Sequence, residues 1–507
     1  MGDNHSMDAL DLPILGTAEV RAVDACAIRQ FGLTGRTLMQ RAGQGLLDRL
    51  TSVWPHARTV IVVAGPGNNG GDGYVVAALL RARGLAVRVW APLGLPLAGD
   101  AAEACADYRA AGGEIGEAPN PPSPAGDVVV DALFGTGLTR DLHGVALEAI
   151  RWMNACGSPI LSADTPSGLD TQTGHVRPLA VRATETVTFV AQKAGFHLGQ
   201  GPDQVGRLSC VSLGIPPEAF RSAPPCLRPV GRSRVKALLP VRSRTAHKGD
   251  HGHVLVIGGG PGMPGAVRLA GEAALRVGAG RVTVATHPSH AASVSMACPE
   301  LMCRPVDRPA DIEDLLASAD VVALGPGLGQ TEWAQGLFEG VALVAKPLVL
   351  DADGLNLLAL SPTVRGDWIL TPHPGEAARL LGWTAGEVQA DRRRALLALV
   401  DKYQAVVALK GARTLVSGPG CAVPSVCLAG NPGMAAAGMG DVLTGVIAGL
   451  LGQQRGGADL VEVAAVAVQV HGQAGDSAAY ASAYAMERGM LASDLFPTLR
   501  MAVNPWP

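Results

Sequence analysis

Aromatic side chains supply only 4% of this 507-residue chain, and charge of neither sign prevails, with 41 basic against 44 acidic residues. Proteins that grip nucleic acid need basic tracts, often interleaved with aromatics. The chain has none, so no nucleic-acid partner is expected. No apolar run approaches the roughly 18 residues that cross a bilayer, so no membrane span is expected. Met1 to Leu15 lacks a basic start followed by an apolar stretch. No secretory leader is read there, and a cytoplasmic protein is expected. The nine cysteines are scattered between Cys26 and Cys427 without a Cys-x-x-Cys. That speaks against zinc and thioredoxin-like chemistry. An odd count without framework spacing fits reduced, mostly buried thiols.

Glycine is in excess, with 65 residues, above the average of about 7%. No Gly-X-Y period runs through the chain, which excludes collagen. The glycines cluster after apolar runs instead, in GPGNNGGDG from Gly65, GGGPGMPG from Gly258 and GPGLG from Gly325. Glycine used that way serves close backbone approach. At 48% apolar and 17% charged, the chain can bury a large core, and disorder is not expected.

Thr17 is placed to cap a first helix through Val20, Val23 and Ile28, and a second follows near Thr37 to Leu50. Strands and helices then alternate. Strand-like runs are TVIVVAG, AVRVW, DVVVDALFG, PILSAD, TVTFVA and CVSLGI, from Thr59 to Ile215. Continuous Val/Ile runs between helices indicate a parallel sheet covered on both faces. Pro216 to Gly231 carries five prolines and no periodicity, and reads as a linker. The alternation resumes with HVLVIGG, RVTVATHP, DVVALGPG, PLVLDADG, DWILTPHPG and AVVALKGARTLV. Helices are expected at Gly265 to Val277, Gly386 to Tyr403, Gly440 to Leu451 and Asp459 to Gly475. The fold class is therefore α/β, in two domains.

Two loops satisfy Gly-x-Gly-x-x-Gly after a strand and before a helix, at Gly65 to Gly70 and Gly260 to Gly265. A dinucleotide fingerprint also needs an acidic residue about 20 positions on, at the end of the next strand. Neither following strand, AVRVW or RVTVATHP, ends in one. No P-loop lysine motif exists either. What survives is a glycine turn that presents N–H groups at a helix start, suited to an anion or to no ligand at all. The first loop has more. Asn68, Asn69 and Asp72 stand beside the turn, Asp131 and Asp164 end successive strands, and Ser167 follows. Ligands of α/β sheets bind beyond the carboxyl ends of strands. Oxygen donors without His or Cys suit an alkali or alkaline-earth ion.

In the second half, Gly438-Met-Gly440-Asp441 opens a helical run. Exposed N–H groups and the helix dipole favour an anion there. Asp441 could take a proton from a substrate hydroxyl while the amides stabilise a transferring phosphoryl group. It follows KGARTLV, a strand–turn–strand with Lys410 and Thr414, and the combination resembles ribokinase-like small-molecule kinases. His373, flanked by prolines, is as compatible with a structural role as with a functional one.

Taken in order, GPGNNGGDG, VDALFGTGLTRDLHG, DTPSGLD, GPGLG, LTPHPGEAARLL, LKGART, GNPGMAAAGMGDVLTG and ERGMLASDL resemble the bifunctional NAD(P)H-hydrate repair enzymes over nearly the whole chain. The resemblance implies an N-terminal Rossmann-like three-layer αβα domain, residues 1–225, acting as an epimerase. It implies a C-terminal ribokinase-like α/β domain, residues 226–507, acting as an ADP-dependent dehydratase. One chain would then be both isomerase and lyase. The substrates it implies are the R and S forms of NADH and NADPH hydrated at C6 of the nicotinamide ring. The first activity interconverts them. The second converts the S form to NAD(P)H and releases AMP and phosphate.

By the same resemblance, the epimerase holds the hydrate with Asn68, Asn69, Gly70, Gly71, Asp72, Gly135, Thr136, Gly137, Leu138, Thr139, Arg140, Asp141 and Asp164. Potassium is held by Asn69, Asp131 and Ser167. In the dehydratase, Ala266, Gly327, His373 and Asp441 match hydrate-binding positions, and Lys410, Gly411, Ala412, Arg413, Thr414 and Gly440 match nucleotide-binding ones. Asp164 and Asp441 are the expected catalytic residues, and Mg²⁺ is expected to bridge the nucleotide phosphates. Gly260 and Met263 stand where the family often has Ser and an aromatic. Glycine- and alanine-rich α/β domains of this kind often assemble, so a homo-oligomer is expected.

Overall fold

The computed structural model describes residues 14–504, apart from 118–120, 123–125, 139, 455–456, 458 and 481–485. The chain divides into two compact units, Met1–Leu227 and Arg228–Pro507. In the first, a short parallel pair, β1 (Ile14–Leu15) and β8 (Gln192–Lys193), accompanies a seven-stranded sheet. The sheet contains β2 (Thr59–Ala64), β3 (Ala86–Trp90), β4 (Ile115–Gly116), β5 (Val128–Ala132), β6 (Ile160–Ala163), β7 (Glu185–Phe189) and β9 (Arg207–Val211). Its order is β4-β3-β2-β5-β6-β7-β9, and every pairing is parallel.

The strands read as unbroken apolar runs because both faces are covered. Val60, Val62 and Ala64 join one core, to which the helices Thr17–Phe31, Gly35–Val53, Asn68–Ala82 and Gly99–Ala110 contribute. Ile61 and Val63 turn the other way, onto the helix Val145–Ala155. The period of two along one strand thus builds two cores.

The second unit holds a ten-stranded sheet. Its strands are β10 (Arg228–Pro229), β11 (His253–Gly258), β12 (Arg281–Thr286), β13 (Met302–Pro305), β14 (Val321–Leu324), β15 (Leu348–Leu350), β16 (Trp368–Leu370), β17 (Val406–Leu409), β18 (Leu415–Ser417) and β19 (Ser425–Val426). The order is β10-β19-β18-β17-β16-β15-β14-β11-β12-β13. Only β18 runs antiparallel, against both neighbours. The helix Met439–Gly452 is buried along nearly its whole length and lies on Pro264–Arg276. A Cβ on Gly445 would come within 2.0 Å of the Ala270 carbonyl oxygen. Glycine there lets the two helices meet backbone to backbone.

Several local expectations shift. Thr17 is the first helical residue rather than the cap; Gly16 holds that place and Gln172 Oε1 accepts from the Thr17 N–H. Thr34 caps the second helix, accepting from the Thr37 N–H at 3.1 Å. The expected Gly386 to Tyr403 helix is two helices, Ala385–Ala390 and Arg392–Tyr403, parted at Asp391, whose carboxylate caps the second. Pro216 to Gly231 is not a bare linker. Pro217–Ser222 forms a 3-10 turn, the Cys226 N–H donates to the Ile14 carbonyl, and β10 joins the edge of the second sheet. Its prolines sit where a turn and a sheet edge tolerate a missing N–H.

Candidate active sites

In the first unit the chain leaves β2 toward β3 on one side, while β5 lies on the other. Sheet order reverses at this point, and a crevice opens beyond the strand ends. It is a cavity of about 800 Å³. The glycine turn after β2 shapes it in two ways. A Cβ on Gly65 would lie 1.9 Å from the Leu133 carbonyl oxygen, and one on Gly70 would lie 1.8 Å from the Gly65 carbonyl. These two glycines therefore serve the protein's own close packing. Gly67 has nothing within 4 Å and lines the cavity.

Of the predicted residues, Asn68, Asn69, Asp72, Gly135, Thr136, Gly137, Leu138, Arg140 and Asp164 line the cavity. Gly70 and Gly71 are buried behind it, Gly71 against Met39. Asp141 is outside the lining and lies 3.8 Å from Arg177. Thr139 lies outside the described residues.

Asp164 follows β6 with φ of +62°, a left-handed conformation that is costly for a residue with a Cβ. Its carboxylate is anchored. Lys193 Nζ donates to Oδ1 at 2.5 Å, and to Thr188 Oγ1 and the Phe189 carbonyl at 2.6 and 2.8 Å. The Lys193 side chain is 1% exposed. Asp24, Asp72 and Asp100 complete an acidic group in the cavity. Burial raises Asp72 well above the usual carboxylate range, and Asp164 and Asp24 add to this. Burial pushes Asp24 up to about 6, with Lys193 opposing.

Asp131 and Ser167 lie behind the cavity wall and are fully buried. The Asp131 carboxylate accepts from Ser162 Oγ, Ser167 Oγ, the Ser167 N–H and the Leu133 N–H. Burial still outweighs these bonds and raises its pKa. Ser167 Oγ accepts from the Phe134 N–H at 2.8 Å. Asn69 is buried, and neither its amide oxygen nor its nitrogen has a partner among the described residues. Gly135 packs directly on the Asn69 side chain.

In the second unit the order reverses between β11 and β14. The loops after these strands meet there, the Gly260 N–H donating to the Gly327 carbonyl at 2.7 Å. A Cβ on Gly327, whose φ is +57°, would lie 3.0 Å from Ala266 Cβ, so these two predicted residues are neighbours. Successive strand ends then contribute Asp351 after β15, His373 after β16 and Lys410 after β17.

Lys410 is the hub. It donates to Asp351 Oδ1 at 2.6 Å and lies 3.8 Å from Glu376 Oε2. Thr444 Oγ1 donates to Asp351 Oδ2 at 2.7 Å. Burial works against the Lys410 ammonium, but Asp351 and Glu376 outweigh it and hold its pKa above the usual lysine value. Gly440 lies beside the pair; a Cβ there would stand 3.4 Å from Lys410 Nζ.

Asp441 is in the first turn of Met439–Gly452, and Gly438 rather than Asp441 is the cap. Burial pushes Asp441 up to about 7, with Asp351 adding and Lys410 opposing. Glu376 is likewise pushed up to about 7 by burial, against Lys410. His373 caps Pro374–Leu381, its Nδ1 accepting from the Gly375 and Glu376 N–H groups. Its other nitrogen lies 3.4 Å from Glu376 Oε1. Burial and the Lys410 charge lower its pKa. The residue thus caps a helix at the rim of the carboxylate cluster.

The Lys410–Thr414 turn is pinned from behind. Arg392, 4% exposed, donates to the carbonyls of Leu409, Lys410, Ala412 and Arg413. Gly411 packs on its guanidinium. Arg392→Met keeps the stem and removes all four bonds. The expected result is a nucleotide KM raised on the order of tenfold, about 1.4 kcal/mol, with epimerisation unchanged. An unaltered KM would show that the turn holds itself.

Sequence reasoning missed Asp24, Lys193, Asp351, Glu376 and Arg392. Two had a signal. Asp24 stands four residues after Val20 on an apolar helix stripe, and Lys193 interrupts the apolar run TVTFVAQKAGF. Among the described residues no three His, Cys, Asp or Glu side chains gather as a metal site.

Fold and sites define a two-domain α/β enzyme, with a Rossmann-like unit followed by a ribokinase-like one. Residues 254–500 match the family described as NAD(P)H-hydrate dehydratase, and residues 35–195 the one described as YjeF-related protein N-terminus. Over 488 residues the chain is 46% identical to the bifunctional NAD(P)H-hydrate repair enzyme Nnr of Coxiella burnetii, covering 96% of this chain and 98% of that protein. The Escherichia coli enzyme of the same name is 42% identical over 489 residues, covering 96% and 93%. The chain belongs to the bifunctional NAD(P)H-hydrate repair enzymes. A crystal structure of ADP/ATP-dependent NAD(P)H-hydrate dehydratase from Bacillus subtilis, co-crystallised with ATP and Mg²⁺, is 30% identical, covers 54% of this chain and 96% of that one, and has a TM-score of 0.47. No helix among the described residues is long and apolar enough to cross a membrane.

Proposed function

We propose that the first unit epimerises the C6 hydroxyl of hydrated NADH and NADPH and that the second dehydrates the S form at the expense of ADP. Full-length likeness to repair enzymes supports the pairing of activities. The observation that carries the dehydratase chemistry is Asp441 in the first turn of a buried helix, beside the Lys410–Asp351 pair.

Hydroxide is a poor leaving group. Phosphorylating the C6 hydroxyl makes a good one, and loss of phosphate restores the conjugated ring. Asp441 takes the hydroxyl proton; a carboxylate poised near 7 can both accept and release one. The N–H groups at Gly438 to Gly440 stabilise the transferring phosphoryl, aided by the helix dipole. Lys410, held by Asp351, supplies positive charge at the nucleotide phosphates, and Ala266 and Gly327 flank the hydrate. Mg²⁺ suits this site in its usual manner, with one or two carboxylates and the substrate phosphates as ligands. Glu376, buried beside Lys410, would hold it, and the ion would neutralise phosphate charge.

In the first unit the cavity carboxylates assist loss and return of water at C6, with Asp164 as the anchored member. Potassium suits the oxygen set of Asn69, Asp131 and Ser167. The Asn69 oxygen, unpartnered among the described residues, and a buried Asp131 to which none of them bonds a cationic side chain both favour such an ion. It would supply charge balance and fix the glycine turn.

The test is product analysis. Mixed hydrates with ADP or ATP should regain the ultraviolet absorbance of NAD(P)H completely, with one inorganic phosphate released per ring repaired. A stable phosphate ester would instead make the second unit a small-molecule kinase. Recovery of only the S fraction would leave the first unit without epimerase activity.

A further inference from the structure

Inverting C6 requires chemistry on both faces of the ring. The hydroxyl leaves one face as a proton reaches it, and water adds to the other face as a proton is taken away. A group can act only within hydrogen-bond reach of the proton it moves. One carboxylate therefore serves one face well and the other poorly.

Besides Asp164, the cavity is lined by Asp24, Asp72 and Asp100, each from a different helix. Asp164 comes from the end of β6, whereas Asp24 comes from the helix Thr17–Phe31. Both line the cavity with Lys193. Lys193 is bonded to Asp164 and holds that carboxylate in place. The buried Asn69 amide nitrogen, as distinct from the oxygen assigned to potassium, has no partner among the described residues, and Asn69 lines the same cavity, a sign that a polar ligand completes it.

Resting on the epimerase reading, we propose that Asp24 is a second catalytic carboxylate, serving the ring face opposite the one that Asp164 serves. One carboxyl gives its proton to the C6 oxygen as the C6–O bond breaks. The bonding pair leaves with the oxygen, the N1 lone pair forms the C6=N1 iminium bond, and water departs. Water then adds to the other face. Its oxygen bonds to C6, the π pair returns to N1, and the surplus proton passes to the other carboxylate. One water leaves and one enters, and one proton has crossed from carboxyl to carboxylate. Burial holds Asp24 near 6, so it exchanges protons readily close to neutrality.

The test follows oxygen-18 from the C6 hydroxyl of separated epimers in the full-length protein. In wild type, label loss and inversion should proceed together. In Asp24→Asn, inversion should fall about a hundredfold or more, while one epimer still exchanges its label through Asp164. In Asp164→Asn, the other epimer should be the one that exchanges. Inversion at the wild-type rate in Asp24→Asn would overturn the proposal, as would parallel loss of exchange from both epimers with inversion. A wild-type protein that interconverts nothing would overturn the epimerase reading itself, a separate outcome.

Discussion

Asp441→Asn should abolish hydrate dehydration, by roughly 10² to 10⁴ in rate, while epimerisation continues unchanged. The substitution leaves shape and helix start intact and removes only the ability to take a proton. In the wild-type protein the same group predicts the pH profile. Its folded pKa is about 7 against an ordinary 3.8, and only the ionised form can act as base. Dehydration should therefore rise with pH and reach half its plateau near 7. Stability moves the other way. Between the unfolded and folded pKa the native state holds the extra proton, so its stability falls as pH rises through that window. Asparagine does not titrate and escapes the loss. Above neutrality the variant's second unit should melt higher than wild type, since a shift of this size corresponds to roughly 4 kcal/mol. Lost activity with raised stability separates a catalytic base from a helix-stabilising aspartate, which would lower both. A variant that dehydrates normally, or loses both activities together, would sink the assignment.

Much of this was legible because α/β sheets write their sites into strand ends. Asp164, His373 and Lys410 each follow a β-run and Asp131 lies near the end of one, and the structure places them toward the carboxyl ends of the strands of the two sheets. The glycine loops were legible only in part. Gly65 and Gly70 look the same in sequence as Gly67, yet two of them touch the protein's own backbone and the third faces the cavity. For Gly65 the difference depends on the loop after β5, more than 60 residues away in the chain. Arg392 and Lys193 were hidden for a related reason. Each is a charged residue whose partners are backbone carbonyls or distant side chains. Local pattern records a residue's own propensity and not what tertiary packing sets against it. His373 shows the reverse case, a motif histidine whose first duty is to cap a helix.

Lys193→Met should cost the first unit both its epimerase activity and much of its stability. The methionine fills most of the space but takes the lysine donor from the Thr188 hydroxyl and from the Phe189 carbonyl, which keeps the Ala191 N–H, and leaves Asp164 with contacts at 3.3 Å. Removing one partner of a buried pair typically costs about 3–5 kcal/mol, because the other charge stays buried. That is a large share of the 5–15 or so kcal/mol that hold a domain together. Asp24 and Asp72 would then lose the lysine charge that opposes their protonation, so this pair should bind a proton more tightly than in wild type. The native state of the variant would hold that proton where the unfolded chain does not, and its stability should fall as pH rises above the ordinary carboxylate range. Denaturation of the full chain, with dehydratase activity reporting the second unit, measures the effect in place. The double variant Lys193→Met with Asp164→Asn removes the stranded charge along with its partner. It should recover a good part of the lost stability, since contacting residues are not additive, and it should recover none of the epimerisation. If Lys193→Met alone melts like wild type and still interconverts the epimers, Lys193 is neither the anchor of Asp164 nor a support of the fold.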